Sequence, residues 1–227
     1  MASMFEQLMA LPLFSGVSYE QLARIVGDTK FNFLKYRRGD AVLVAGEQCC
    51  DVVFVVSGSV RYAVKNSKDS FVVEQTIKAP SVIAPEFLFG RHTVVPCAVV
   101  ALEATSILRI SKADYIKILN TDNVFLFNYL NILSAKAQTP LAGLLKLTPG
   151  EPVERLALWI ATSTQPGGLD LKFKCIGGMQ LHEVLGASAE AVENALEPLR
   201  RDGLIRYNAS ELTINNRAEF LSRFIAP

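Results

Sequence analysis

This 227-residue chain is poor in histidine and cysteine, the side chains most used for nucleophilic and metal chemistry. There are two histidines, His92 and His182, and four cysteines, Cys49, Cys50, Cys97 and Cys175. No two cysteines form a CxxC pair, and their spacing is not that of a metal cluster. A metal-dependent barrel enzyme needs several histidines and a carboxylate facing its interior, which two distant histidines do not supply. No GxSxG elbow, Walker loop or HExxH helix is present. These absences point away from an enzyme and from a bound metal. Cys97 and Cys175 read as small buried strand residues, and Cys49-Cys50 as a turn pair or a vicinal redox pair.

The stretch Pro85-Glu86-Phe87-Leu88-Phe89-Gly90-Arg91-His92 gathers the remaining polar chemistry. A neutral His92 imidazole beside Phe87 and Phe89 has the donor chemistry of a haem ligand, although a surface loop residue is the plainer reading.

The formal charge is +1, with half the residues hydrophobic and 20% charged. That composition supports a sizeable core and excludes disorder and low complexity. No apolar run approaches the ~18 residues of a membrane span. Met1–Gly16 carries Glu6 and no basic residue, unlike a secretory leader. A reduced, cytoplasmic protein with no membrane association is expected. From Pro149 onward ten acidic residues face eight basic ones, so the C-terminal third is net acidic. Nucleic-acid-binding segments usually carry the opposite sign.

Two hydrophobic periods must position these residues. A short helix, MFEQLMALPLF, precedes Ser18-Tyr-Glu-Gln21, a capping-box start for a helix ending near Gly27. From Phe31 to Ile110 the period is 2, in AVLVA, DVVFVV, SVRYAV, SFVVEQTI, CAVVALE and SILRI. Gly39-Asp40, Gly46-Glu47, Ser57-Gly58, Asn66-Ser67 and Ala79-Pro80 separate them. Short strands without intervening helices predict an antiparallel sandwich or barrel. Ser111 and Asp114 cap the next helix. A long helix then runs through VFLFNYLNILSAKAQTPLAGLLKL, where Phe127, Leu130, Ser134, Ala137, Leu141 and Leu144 form a heptad seam suited to a second subunit. Pro140 is expected to kink it. Thr148-Pro149-Gly150 marks a domain boundary, followed by a helix, a strand LKFKCI, a helix pair and a strand pair near ELTINN.

Two segments resemble the Crp/Fnr transcription regulators. Gly39-Asp40, Gly46-Glu47, Phe54, Val56 and Gly58 match the glycine-punctuated roll of its cyclic-nucleotide-binding-like domain. LHEVLGASAEAVENALEPLRRDGLI looks like its helix-turn-helix, with Gly186 in the turn, Ser188 as N-cap and Asp202-Gly203-Leu204-Ile205 leading into a wing. The resemblance implies an α+β chain: an antiparallel jelly-roll sensor over 1–120, a dimerisation helix over 121–148 and a winged helix-turn-helix over 149–227. Val184, Leu185, Val192, Leu196 and Leu199 have the spacing of the motif's packed face.

The same resemblance implies a homodimeric transcription regulator that binds palindromic double-stranded DNA, with RNA polymerase as a further partner. Base and phosphate contacts fall to Ser188, Ala189, Glu190, Glu193, Asn194, Arg200, Arg201 and Lys174. The family's recognition helix usually has arginine first and sixth and glutamate second. Ala189, Asn194 and Glu190 stand there, so readout shifts to Glu190 and Asn194, and Pro198 is expected to bend the helix. The implied pocket for an unknown small-molecule effector is Glu86, Phe87, Phe89, Arg91, His92 and Cys97. Cyclic-nucleotide binders place an Arg-Ser or Arg-Thr pair about ten residues after a Gly-Glu step. Pro96-Cys97 and Pro85-Glu86 occupy those places, so cyclic AMP loses its bidentate partner and is not the expected effector. Iron–sulfur members carry cysteines near the N-terminus, which this chain does not. The alternative is an effector-binding module with weakened DNA binding, which the acidic third favours.

Overall fold

The computed structural model describes residues 4–66, 70–146, 150–165, 167–175 and 180–224, with backbone alone for 139–146. Helix α1 (Met4–Met9), a 3-10 turn at Pro12–Phe14 and α2 (Tyr19–Asp28) lead into eight strands. These are β1 (Asn32–Tyr36), β2 (Ala41–Leu43), β3 (Asp51–Ser57), β4 (Ser59–Lys65), β5 (Phe71–Lys78), β6 (Ser81–Ile83), β7 (Ala98–Ala101) and β8 (Thr105–Ser111). A 3-10 turn at Pro85–Phe87 lies between β6 and β7. Then follow α3 (Lys112–Thr121), α4 (Asn123–Lys146), α5 (Pro152–Ser163), β9 (Gly168–Cys175), α6 (Leu181–Leu185), α7 (Ala189–Arg201), β10 (Ile205–Tyr207), β11 (Glu211–Ile214) and α8 (Arg217–Phe224).

Two compact units result, one of residues 1–62 with 77–135, the other of residues 63–76 with 136–227. In the first, an antiparallel sheet runs β1–β8–β3–β6, and β2 pairs with β7. Strand alternation divides its side chains between two faces. Val52 and Phe54 of β3 and Leu108 and Ile110 of β8 pack against Leu8, Leu13, Phe14, Leu22, Ile25, Tyr115 and Phe125. Val53, Val55 and Ile107 project from the opposite face and are also buried. Gly58 shows why glycine punctuates this roll. Its φ is +82°, and an added Cβ would lie 2.7 Å from the Ala104 carbonyl oxygen.

In the second unit α5, α6, α7 and α8 bury Leu156, Ile160, Leu181, Leu185, Val192, Leu196, Leu199 and Phe220 against β9, β10 and β11. Trp159 and Phe173 lie 4.5 Å apart between ring centroids. Arg217 is buried there and donates from Nε to the Thr164 hydroxyl at 2.8 Å. Burial brings its pKa down to about 10.

The capping signals form as read. Ser18 and Gln21 close a reciprocal box, and the Ser111 hydroxyl accepts from the Asp114 amide. Helix α2 ends at Asp28, beside the expected stop at Gly27. Helices α4 and α7 run on through Pro140 and Pro198 with helical backbone to Lys146 and Arg201. One expectation needs correction. Val184 is 51% exposed and leaves the packed face of the helix pair to Leu181, one turn earlier on α6. Thr148 and Pro149 of the expected boundary lie outside the described residues.

Candidate functional site

Three places carry polar or unpartnered surface: the helix pair α6–α7, one stripe of α4, and the inner face of the roll. At the helix pair the sequence dictates the turn. Gly186 takes a left-handed conformation (φ 60°), and the Ser188 hydroxyl accepts from the Ala191 amide at 3.1 Å to start α7. Arg155 of α5 secures the turn from behind, its Nη1 donating to the carbonyls of Leu185 and Gly186, each at 2.9 Å. Ser188, Ala189, Glu190, Glu193 and Asn194 are all exposed, while Val192, Leu196 and Leu199 are buried.

The expected phosphate contacts are occupied within the protein. Arg200 pairs with Glu193 at 3.0 Å and Glu197 at 3.6 Å, Arg201 with Glu197 at 3.0 Å, and Lys174 with Glu74 at 3.0 Å. Lys172 pairs with Glu211, and Arg223 with Asp202 and Glu219. Arg155 and Arg217 are held as described above, and Arg206 donates to Asn215. All eight basic residues after Pro149 thus have a partner, and Lys172, Arg200, Arg201 and Arg223 find theirs among the ten acidic residues of the same segment. Alternating charge at i, i+3 and i+4 along α7 was the available sequence signal.

On α4, Phe125 and Tyr129 are buried in the first unit. Phe127, Leu130, Ser134 and Ala137 form an exposed stripe, with Phe127 60% and Leu130 44% exposed. The side chains of Leu141 and Leu144, which would continue it, lie outside the described residues. Asn128 ties the helix to the N-terminal turn, its amide donating to the carbonyls of Leu13 and Ser15 at 2.9 and 2.8 Å. Tyr129 donates its hydroxyl to the Pro85 carbonyl at 3.0 Å and meets Phe89 edge-on at 5.8 Å. Burial pushes the Tyr129 pKa up to about 12. The loop after β6 is therefore bonded directly to α4.

The six residues expected to form an effector pocket do not share one enclosure. Arg91 and His92 are exposed, whereas Cys97 is fully buried. Glu86 and Phe87 are half-buried in the Pro85–Phe87 turn. Phe89 packs toward the helices, with the Lys112 ammonium 4.9 Å from its ring centroid. A solvent-facing His92 lacks the apolar enclosure a haem ligand requires. The physical reason is local: Gly90, with φ +97°, turns the chain outward after Phe89, and Val95 turns it in again.

The roll's inner face instead shows a cavity of about 50 Å³ lined by residues including Leu43, Glu47, Cys49, Asp51, Ala84 and Arg109. Arg109 stands across from Val53 in the β3–β8 ladder, so both side chains lie on one face. Its guanidinium donates to the Val42 carbonyl and lies 3.5 Å from the Asp51 carboxylate. Cys49 is half-buried, and burial raises its thiol pKa, with Cys50 adding to the effect. Sequence reasoning passed over Arg109. The signal was a lone charge in SILRI at the parity of the inward-facing Ile107.

Residues 33–122 match the cyclic nucleotide-binding domain family. The roll is a domain of that family. The chain's fold is similar to that of the catabolite activator protein of Thermus thermophilus, at 20% identity over 94% of this chain and 98% of that one, with a TM-score of 0.52. Weaker likenesses include the sensor domain of the transcriptional regulator DNR from Pseudomonas aeruginosa, 18% identical over 57% of this chain and 85% of that one (TM-score 0.48). OCPA-complexed CprK is 17% identical over 88% and 93% of the two chains (TM-score 0.47). No curated protein matches the sequence. The chain thus has the α+β fold of the catabolite-activator regulators, with their jelly roll and accompanying helices.

Proposed function

We propose that the chain is a homodimeric, cytoplasmic transcription regulator of Crp/Fnr type that binds palindromic DNA and answers to an effector other than cyclic AMP. The observation that carries the reading is the α6–α7 pair, where a glycine turn and a capped second helix leave Glu190 and Asn194 exposed. In that role Asn194 reads adenine and Glu190 accepts from cytosine, while Arg200, Arg201 and Lys174 contact phosphates. Those ion pairs are mostly solvent-exposed and worth about 0–1 kcal/mol each, so a polyanion can displace them. Dimerisation covers the Phe127–Ala137 stripe and spaces two recognition helices by about 34 Å, one turn of DNA. Effector binding in the roll acts through the Pro85–Tyr129 hydrogen bond on α4, biasing a two-state equilibrium between helix arrangements. RNA polymerase is the partner such a regulator addresses.

A second reading is an effector-binding module with weakened DNA binding, favoured by the pairing of all eight basic residues after Pro149. Mobility shifts against the chain's own promoter and a randomised pool, across a salt series, separate the two. Selection of a palindrome supports the regulator. Retention that is absent even at low salt supports the module.

A further inference from the structure

We propose that the inner face of the roll holds a small-anion site in which the Arg109 guanidinium binds one compact oxyanion, a carboxylate or an inorganic oxyanion. Three observations converge on it. First, Nε of Arg109 is buried without a hydrogen-bond partner, although the other two nitrogens have acceptors. A buried donor left unpaired is costly, and native structures rarely tolerate one without a role for it. Second, that guanidinium lines a cavity of about 50 Å³. That exceeds the roughly 10–15 Å³ needed to hold one water, so the space suits a compact polar group. Third, Ala84 in the cavity wall has a left-handed backbone (φ 45°, ψ 44°), a strained conformation for a residue with a side chain. Such strain clusters at ligand clamps.

The electrostatics suit an exchangeable anion. The Asp51 carboxylate is the internal competitor, loosely placed at 3.5 Å with a side chain about one-third exposed. An arriving anion competes with Asp51 for Nη1, and Asp51 relaxes toward water. Glu47 also lines the cavity, and its carboxylate opposes a second negative charge on the ligand. The half-buried Cys49 thiol stays protonated near neutral pH and adds no negative charge. Ala84 leads into Pro85, whose carbonyl accepts from Tyr129, so an anion against this wall meets the loop bonded to α4. This regulatory consequence rests on the reading of the preceding subsection, whereas binding itself does not.

The test uses the full chain in low-chloride buffer, titrated calorimetrically with formate, acetate and inorganic phosphate, and without DNA. Saturable one-to-one binding of at least one of them is expected. Saturation by formate or acetate alone assigns a carboxylate ligand, and saturation by phosphate alone an inorganic one. Arg109→Met should weaken binding about tenfold or more, the weight of a charge-assisted hydrogen bond. Asp51→Asn should tighten it by about threefold by removing a competitor of surface ion-pair strength. If Arg109→Met does not fold, the Asp51→Asn result decides alone. No saturable binding by any of the three, or affinity unchanged in Asp51→Asn, overturns the proposal. A mobility shift run separately shows whether the DNA-binding reading fails on its own.

Discussion

Helices α4 and α7 each bury one face in their own unit and expose another, but the exposed faces differ in kind. That of α4 presents Phe127 and Leu130, and that of α7 presents Glu190, Glu193, Asn194, Arg200 and Arg201. An apolar stripe gains about 25 cal/mol for each Å² removed from water, so protein is its natural cover. A stripe of alternating charge satisfies itself in water and yields only to a ligand that outbids its ion pairs. The contrast teaches that one helix is suited to permanent association and the other to conditional contact.

The largest expected effect breaks the first half of this contrast. Leu130→Lys puts an unpaired charge into the apolar stripe, costing the dimer about 3–5 kcal/mol. Sedimentation should then show a monomer, and an unchanged dimer mass would place the interface elsewhere. Next is Asn194→Ala, which should relax preference at one position per half-site by about 1–3 kcal/mol. Selection from a randomised pool reads this directly, and an unaltered profile would remove α7 from the groove. Ser188→Ala removes the cap of α7 and should destabilise the C-terminal unit by about 1 kcal/mol in a denaturant melt.

The buried face of α4 offers a pH test of similar size. Tyr129 has a folded pKa of about 12, above its ordinary value near 10. Its contribution is therefore complete below pH 10 and lost as pH rises toward 12. Tyr129→Phe should cost about 1 kcal/mol at neutral pH through the lost bond to Pro85 and flatten the alkaline decline. The smallest effect sharpens the second half of the contrast. Arg201→Ala should weaken binding to all sequences alike by a few tenths of a kcal/mol and lower the salt slope by about 1. Glu197→Gln, which frees Arg201 and leaves Arg200 to Glu193 alone, should do the reverse in the same salt titration.

How much of this was readable in the sequence depended on whether the signal was local. Strands β3, β4, β5 and β8 are long enough for alternation to show, and they form close to where period 2 placed them. Strand β6 has three residues between two prolines, too few for any period, and its place depends on pairing with β3. The N-caps at Ser18, Ser111 and Ser188 were legible because a cap is settled within four residues. Val184 was misplaced because α6 is only five residues long, so a shift of one position turns the side chain from core to solvent. The effector residues were taken from a loop whose path Gly90 alone redirects. Arg109 escaped because its importance lies in partners 58 to 67 residues away, at Asp51 and Val42.

The grip of Arg155 on the α6–α7 turn bears on how such a chain can change over time. Its three hydrogen bonds reach only backbone carbonyls, those of Gly150, Leu185 and Gly186. Mounted this way, the second helix keeps its attitude whatever side chains it displays. Residues 189, 190, 193 and 194 are exposed and stand apart from the buried row of Val192, Leu196 and Leu199. They form a replaceable cassette. Substitutions there cost folding little, about 0–1 kcal/mol where Glu193 loses Arg200, so the chain can drift from one target to another, or lose its target altogether, while its scaffold persists.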